Sequence, residues 1–157
     1  MRIQIEHRIG VQVPATEAWR HLSDLESWGT WSAMYPKASG KLQIGAPLTL
    51  TEVIPGDEPQ DLTAQVVDWV PDAQIIWTLK AGRFLRRIRY FELQTLTDEA
   101  CVFSNGEIYE GFAARFVSKD LKRALRQGFT DMGEAFKAMA EREAASPGQK
   151  AASVLSR

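Results

Sequence analysis

The chain reads as an α+β fold: a seven-stranded curved antiparallel sheet wrapped around one long C-terminal helix, with short helices between strands 1 and 2. Three observations predict it. Residues 2–13 alternate polar and apolar side chains with a period of two; residues 41–110 form a meander of short segments split by Gly, Pro and Asp turns; residues 111–142 change to helical spacing. One helix cannot cover the whole concave face of a wide sheet, so this order predicts an internal cavity suited to small apolar molecules.

The first strand places Ile3, Ile5, His7, Ile9, Val11 and Val13 on one face, and Pro14 ends it. Ala18, Trp19, Leu22 and Leu25 then recur at helical spacing, which predicts one or two short helices over 15–25. Gly29, Pro36 and Gly40 break the pattern, leaving 26–39 as a connector with at most one further helical turn, carrying Trp28, Trp31 and Tyr35. Strands are expected at 41–44, 48–54, 61–70, 74–80, 84–96 and 100–110, the last two joined by a Thr97-Asp98-Glu99 turn.

In the final helix Val117, Leu121, Leu125, Gly128, Met132, Phe136 and Met139 make the buried stripe, with Lys119, Arg123, Arg126 and Glu134 opposite. Gly128 on that stripe and Gly133 near its edge each cost about 1 kcal/mol relative to alanine, so something needs the room: a bulky strand residue such as Trp77, or a ligand. Residues 1–142 make a single ligand-binding domain, and 143–157, with neither periodicity nor large apolar side chains, are expected to be a disordered tail.

Composition narrows the function classes. Nineteen basic residues against twenty acidic ones, with a pI near 6.1, provide no overall positive field, so nucleic acid is not an expected partner and the basic group Arg83, Arg86, Lys119, Lys122, Arg123 and Arg126 reads as a solvated face. Cys101 is the single cysteine, which excludes an intramolecular disulfide. With no signal-like N-terminus and no apolar run of spanning length, a cytoplasmic protein is expected. His7, His21 and Cys101 lack metal-ligand spacing, so neither metal nor cofactor is predicted. A homodimer remains open.

The element order, together with Val13-Pro14-Ala15 leading to Trp19, the run Asp24 to Trp31, Gly45 before Leu48-Thr49-Leu50, Trp77, Phe91-Glu92-Leu93, and Glu107 to Gly111, resembles the helix-grip superfamily of START domains, birch-pollen-type allergens and polyketide cyclases (SRPBCC). Within it the chain is similar to the bacterial polyketide cyclase/dehydrase-like branch over about residues 1–142. The resemblance implies a helix-grip fold with a cavity for hydrophobic ligands. It departs at Arg87-Ile88-Arg89, where relatives often carry a Gly-Glu-His-type stretch, so no role for that histidine carries over.

Strand alternation supplies the candidate site. If Phe91 and Leu93 face inward so do Arg87 and Arg89, and Phe103 brings Asn105, Glu107 and Tyr109. Leu93 opposite Phe103 then sets Phe91 beside Asn105 and Arg89 beside Glu107. Buried charges are costly, so Arg89 and Glu107 either pair with each other or line a solvated space where they orient a ligand's polar end. Glu107 and His7 are the candidate acids or bases. Trp28, Trp31 and Tyr35 either flank a cavity mouth or close the core edge, while Trp77, Leu125, Phe129, Met132 and Phe136 are core residues first and pocket walls second.

Three functions are compatible with these residues: binding of a small hydrophobic or aromatic molecule between sheet and helix; a cyclase- or dehydratase-type enzyme using Glu107 or His7; or a structural or partner-binding domain with a filled core.

Overall fold

A computed structural model describes residues 1–146. Seven strands, β1 (Arg2–Val11), β2 (Lys37–Gly40), β3 (Pro47–Glu52), β4 (Gln60–Val70), β5 (Gln74–Lys80), β6 (Arg86–Thr97) and β7 (Ala100–Glu110), form one sheet ordered β1-β7-β6-β5-β4-β3-β2. Every neighbouring pair is antiparallel. β1 pairs with β7, so the crossover from β1 to β2 spans the sheet, and helix α1 (Ala15–Leu22) and a 3₁₀ turn (Leu25–Thr30) occupy it. Register shifts at Val66/Asp68 and Thr95/Thr97 add local bend to the sheet.

The second strand lies at Lys37–Gly40, earlier than the 41–44 that the sequence predicts. Ala38 is its one buried side chain, so it offers no alternation to read, and its position follows from pairing with β3, Ala38 opposite Leu50. Gly40 ends it at φ +129°, a backbone conformation that a side chain resists and that here lies close against Pro47 and Leu48.

The long helix α2 spans Lys119–Ala145. The predicted start at Gly111 is eight residues early: Gly111 turns the chain at φ +115°, Phe112–Phe116 form a separate 3₁₀ turn, and Ser118 caps α2 by accepting the Leu121 N–H at 3.1 Å. α2 also carries through residues 143–145, assigned to the tail by sequence, and Ser146 follows as its C-cap; residues 147–157 of that tail lie outside the described residues. The helix packs chiefly against β1 and less against β7. The rest of the concave face is covered by the connector, whose Trp28 and Tyr35 are wholly buried.

Close packing on the convex face depends on Gly106 of β7. Tyr90 of β6 lies across it to reach β1, its hydroxyl donating to Glu6 Oε2 at 2.5 Å and accepting from Gln4 Nε2 at 2.8 Å. A Cβ on Gly106 would come within 2.4 Å of the Tyr90 hydroxyl and 2.5 Å of the Ile5 carbonyl. Gly106→Ala should therefore lower stability by about 1–3 kcal/mol, the usual cost of overpacking, measured by denaturant unfolding.

Candidate functional site

The strand register places the charged residues as alternation predicts: Leu93 opposite Phe103, Phe91 opposite Asn105, Arg89 opposite Glu107. All of Arg89, Asn105 and Glu107 point into the core, with no solvent exposure. Arg89 and Glu107 nonetheless do not form the ion pair of the first alternative. Glu107 is claimed by Arg87, one alternation back on β6, whose Nε and Nη2 donate to its two carboxylate oxygens at 2.8 and 3.3 Å. Arg87 Nη2 also reaches Glu52 of β3 at 2.9 and 3.2 Å. The Tyr109 hydroxyl donates to Glu107 Oε2 at 3.0 Å, so both oxygens of that carboxylate are engaged.

Arg89 is satisfied differently. Its Nε donates to the Tyr35 hydroxyl (2.8 Å), Nη1 to the Gly106 carbonyl (2.8 Å), and Nη2 to Asn105 Oδ1 (3.0 Å). The guanidinium lies between the rings of Phe91 and Phe129, 4.3 and 4.2 Å from their centroids, an arrangement that favours a weakly hydrated cation. Two thioether sulfurs complete its surroundings, Met34 Sδ at 3.7 Å and Met132 Sδ at 3.4 Å from Nη2, both weak acceptors. The Tyr35 hydroxyl in turn donates to Glu52 Oε2 at 3.1 Å, which joins the Arg89 group to the Arg87 group.

Burial governs the protonation of this network. It pushes the Glu107 carboxyl above the usual carboxylate range, with Arg87 as the main opposing influence. For Arg87 burial alone would favour the neutral form, but Glu107 and Glu52 more than reverse it and keep the guanidinium charged. Burial likewise raises the phenols of Tyr35 and Tyr109, which stay protonated as hydrogen-bond donors.

Around Arg89 the predicted wall residues pack on each other. Trp28 contacts Tyr35, Trp77 and Phe91 with centroids 4.9–5.7 Å apart. Phe136 packs on Phe103 at 4.4 Å and on Trp31 at 5.3 Å, and Leu125 is fully buried. The connector thus supplies aromatic volume that the helix alone does not. Open space lies at the margin of this core: a cleft of about 450 Å³ bounded by Trp31, Met34, Val53, Pro55, Gly128 and Met132. Of the predicted site residues it takes Trp31 and Met132, and Trp31 Nε1, buried at its edge, has no hydrogen-bond partner.

The helix glycines serve contacts other than Trp77. Gly128 faces Pro55 and Met34 at the cleft, and Gly133 faces His7, whose Nδ1 would lie 2.4 Å from an added Cβ. His7 sits on the inward face opposite Asn105, pressed against α2, with Nδ1 unpartnered and apart from the cleft lining. His21 is half-buried, and burial lowers its pKa. No group of metal-ligating side chains occurs among the described residues.

Sequence reasoning missed Glu52 and Met34. Glu52 follows Leu48 and Leu50 on the inward face of β3, so alternation alone identifies it. Met34 sits in aperiodic chain and carries no such signal.

No curated protein matches the chain. Solved structures do match it in fold. An aromatase/cyclase from Streptomyces is 18% identical with a TM-score of 0.76, covering 94% of this chain and 99% of its own. Norcoclaurine synthase from Thalictrum flavum is 14% identical (TM-score 0.70, covering 92% and 98%), and a START superfamily protein from Mycobacterium smegmatis is 14% identical (0.71, covering 88% and 97%). Residues 2–138 match the family model described as polyketide cyclase / dehydrase and lipid transport. With that match spanning most of its length, the chain belongs to the polyketide cyclase / dehydrase and lipid transport family, and its seven strands gripping α2 give it the helix-grip fold of these structures.

Proposed function

We propose that the protein binds a small, largely apolar molecule, aromatic or otherwise hydrophobic, in the cleft between the connector and α2, with the ligand's polar end turned toward Arg89. The observation that carries this reading is the double role of Met34 and Met132. They line the cleft, and their sulfurs are the weakest of the acceptors that Arg89 has. A ligand oxygen that displaced either thioether would replace a weak contact with a charge-assisted hydrogen bond to the same guanidinium. Methionine side chains are flexible enough to move aside without disturbing the strands. The volume falls within the range of about 300–1,000 Å³ typical of small-molecule sites.

A binding role is favoured over proton-transfer chemistry by the placement of the two candidate acid/base groups. Glu107 has both oxygens engaged by Arg87 and Tyr109, and neither Glu107 nor His7 lines the cleft. The test is to fill the space. Ala135→Trp, at the half-buried cleft wall, should weaken binding of the hydrophobic dye anilinonaphthalene sulfonate, or of a molecule retained in native mass spectrometry, by about tenfold or more. The melting temperature should move little. Affinity unchanged by a tryptophan at residue 135 would remove the cleft from consideration.

A further inference from the structure

Away from the cleft, three phenylalanines stand outside the core: Phe84, Phe112 and Phe116 are 60%, 59% and 71% exposed. They form one patch. Phe84 lies in the loop between β5 and β6, the other two lie between β7 and α2, and the Ala113 N–H ties these loops by donating to the Phe84 carbonyl at 3.1 Å. The rings of Phe112 and Phe116 are 6.2 Å apart. An open hollow of about 660 Å³ runs alongside, lined by Phe84 and Phe112 together with Lys80, Arg83 and Arg86. Arg83 and Arg115 lie 5.7 and 4.2 Å from the ring centres of Phe84 and Phe112. Glu110 is the acidic residue of the lining, and it faces Arg2 at 3.9 Å.

Although the net charge of the chain is −1, the charged groups beside these rings are mostly basic, Lys80, Arg83, Arg86 and Arg115 against Glu110. Exposed phenyl rings on two loop tips, surrounded by guanidinium and ammonium groups, match the chemistry of an anionic bilayer surface. The rings enter the acyl boundary and the cations meet headgroup phosphates. A second copy of the chain fits poorly, since a two-fold contact through this patch would bring the basic groups of one copy, Lys80, Arg83, Arg86 and Arg115, toward those of the other. We propose that the protein docks on anionic membranes through Phe84, Phe112 and Phe116 and the basic residues around them.

Sedimentation of the full chain with vesicles tests this directly. Phosphatidylcholine vesicles containing roughly three-tenths phosphatidylglycerol should carry the protein down, and phosphatidylcholine alone should not. Binding should weaken about tenfold or more at about 1 M salt, where the Debye length is about 3 Å. The Phe112→Ser, Phe116→Ser double variant and the Arg83→Glu, Arg115→Glu double variant should each lose about tenfold or more in vesicle affinity with an unchanged melting temperature, because these side chains are exposed. Equal binding to neutral vesicles, no binding to either, or binding indifferent to both variants would overturn the proposal. So would a solution dimer that the phenylalanine variant dissolves, or binding to polyglutamate without binding to vesicles, which would mark a contact with an acidic protein.

Discussion

Arg87→Met is expected to lower the unfolding free energy by about 3–5 kcal/mol at neutral pH, because it leaves Glu52 and Glu107 buried without their shared cation. Both carboxylates are almost completely sequestered, so water cannot replace the guanidinium. The loss should depend on pH in a defined direction. Burial already holds the Glu107 carboxyl above its ordinary range, and removing Arg87 takes away the main influence that lowers it. A carboxyl whose folded-state pKa lies above its unfolded value stabilises the fold only while protonated, so its contribution is present below an unfolded pKa of about 4.3 and fades as pH rises toward the folded value. The variant should therefore melt closer to the parent near pH 5 than near pH 8. Urea unfolding at several pH values checks this, and a deficit that stays constant or grows on acidification would contradict the assignment of Arg87 as the counter-charge.

Arg89→Met should separate stability from binding. The substitution leaves Asn105 Oδ1 and the Tyr35 hydroxyl oxygen each without the donor that Arg89 supplies and takes one donor from the Gly106 carbonyl, at about 1–3 kcal/mol for each acceptor left buried and unsatisfied. It also relieves the chain of a fully buried guanidinium with no carboxylate in direct contact, and methionine fills much of the space between Phe91 and Phe129. The net cost is expected at about 1–3 kcal/mol, smaller than for Arg87→Met. Affinity for a ligand bearing a carbonyl or carboxylate should nevertheless fall about tenfold or more, since the donor proposed to receive it is gone. Isothermal titration alongside thermal unfolding reads both quantities; retained affinity would place the ligand's polar end elsewhere.

How far these residues are legible in the sequence depends on whether a period governs them. On β6 and β7 the period is two and the connecting turn is short, so the register from Leu93–Phe103 to Arg89–Glu107 follows by counting, and so do the inward positions of His7 and Tyr109. Choice of partner does not follow by counting. Arg87 and Arg89 share a face, and Arg87, which takes Glu107, is also the one that meets Glu52 from β3, three strands away in the sheet from β6, while Arg89 meets Tyr35 from the connector. The filling of the concave face is equally hidden. Trp28, Tyr35 and Met34 come from a connector without periodicity, so their insertion beneath the sheet is a tertiary event that no local pattern specifies.

The chain positions of the buried polar network bear on when it forms. Arg87 meets residues 35 positions earlier and 20 later, and Arg89 meets Tyr35 at a separation of 54. Contacts across such separations form only after the intervening loops have closed. The network is therefore expected to act as a late-closing latch, assembling after β3, β6 and β7 are aligned and adding little to the rate at which they align. Loss of Arg87 should fall mainly on the unfolding rate, shortening the native lifetime while refolding proceeds at nearly the parental speed.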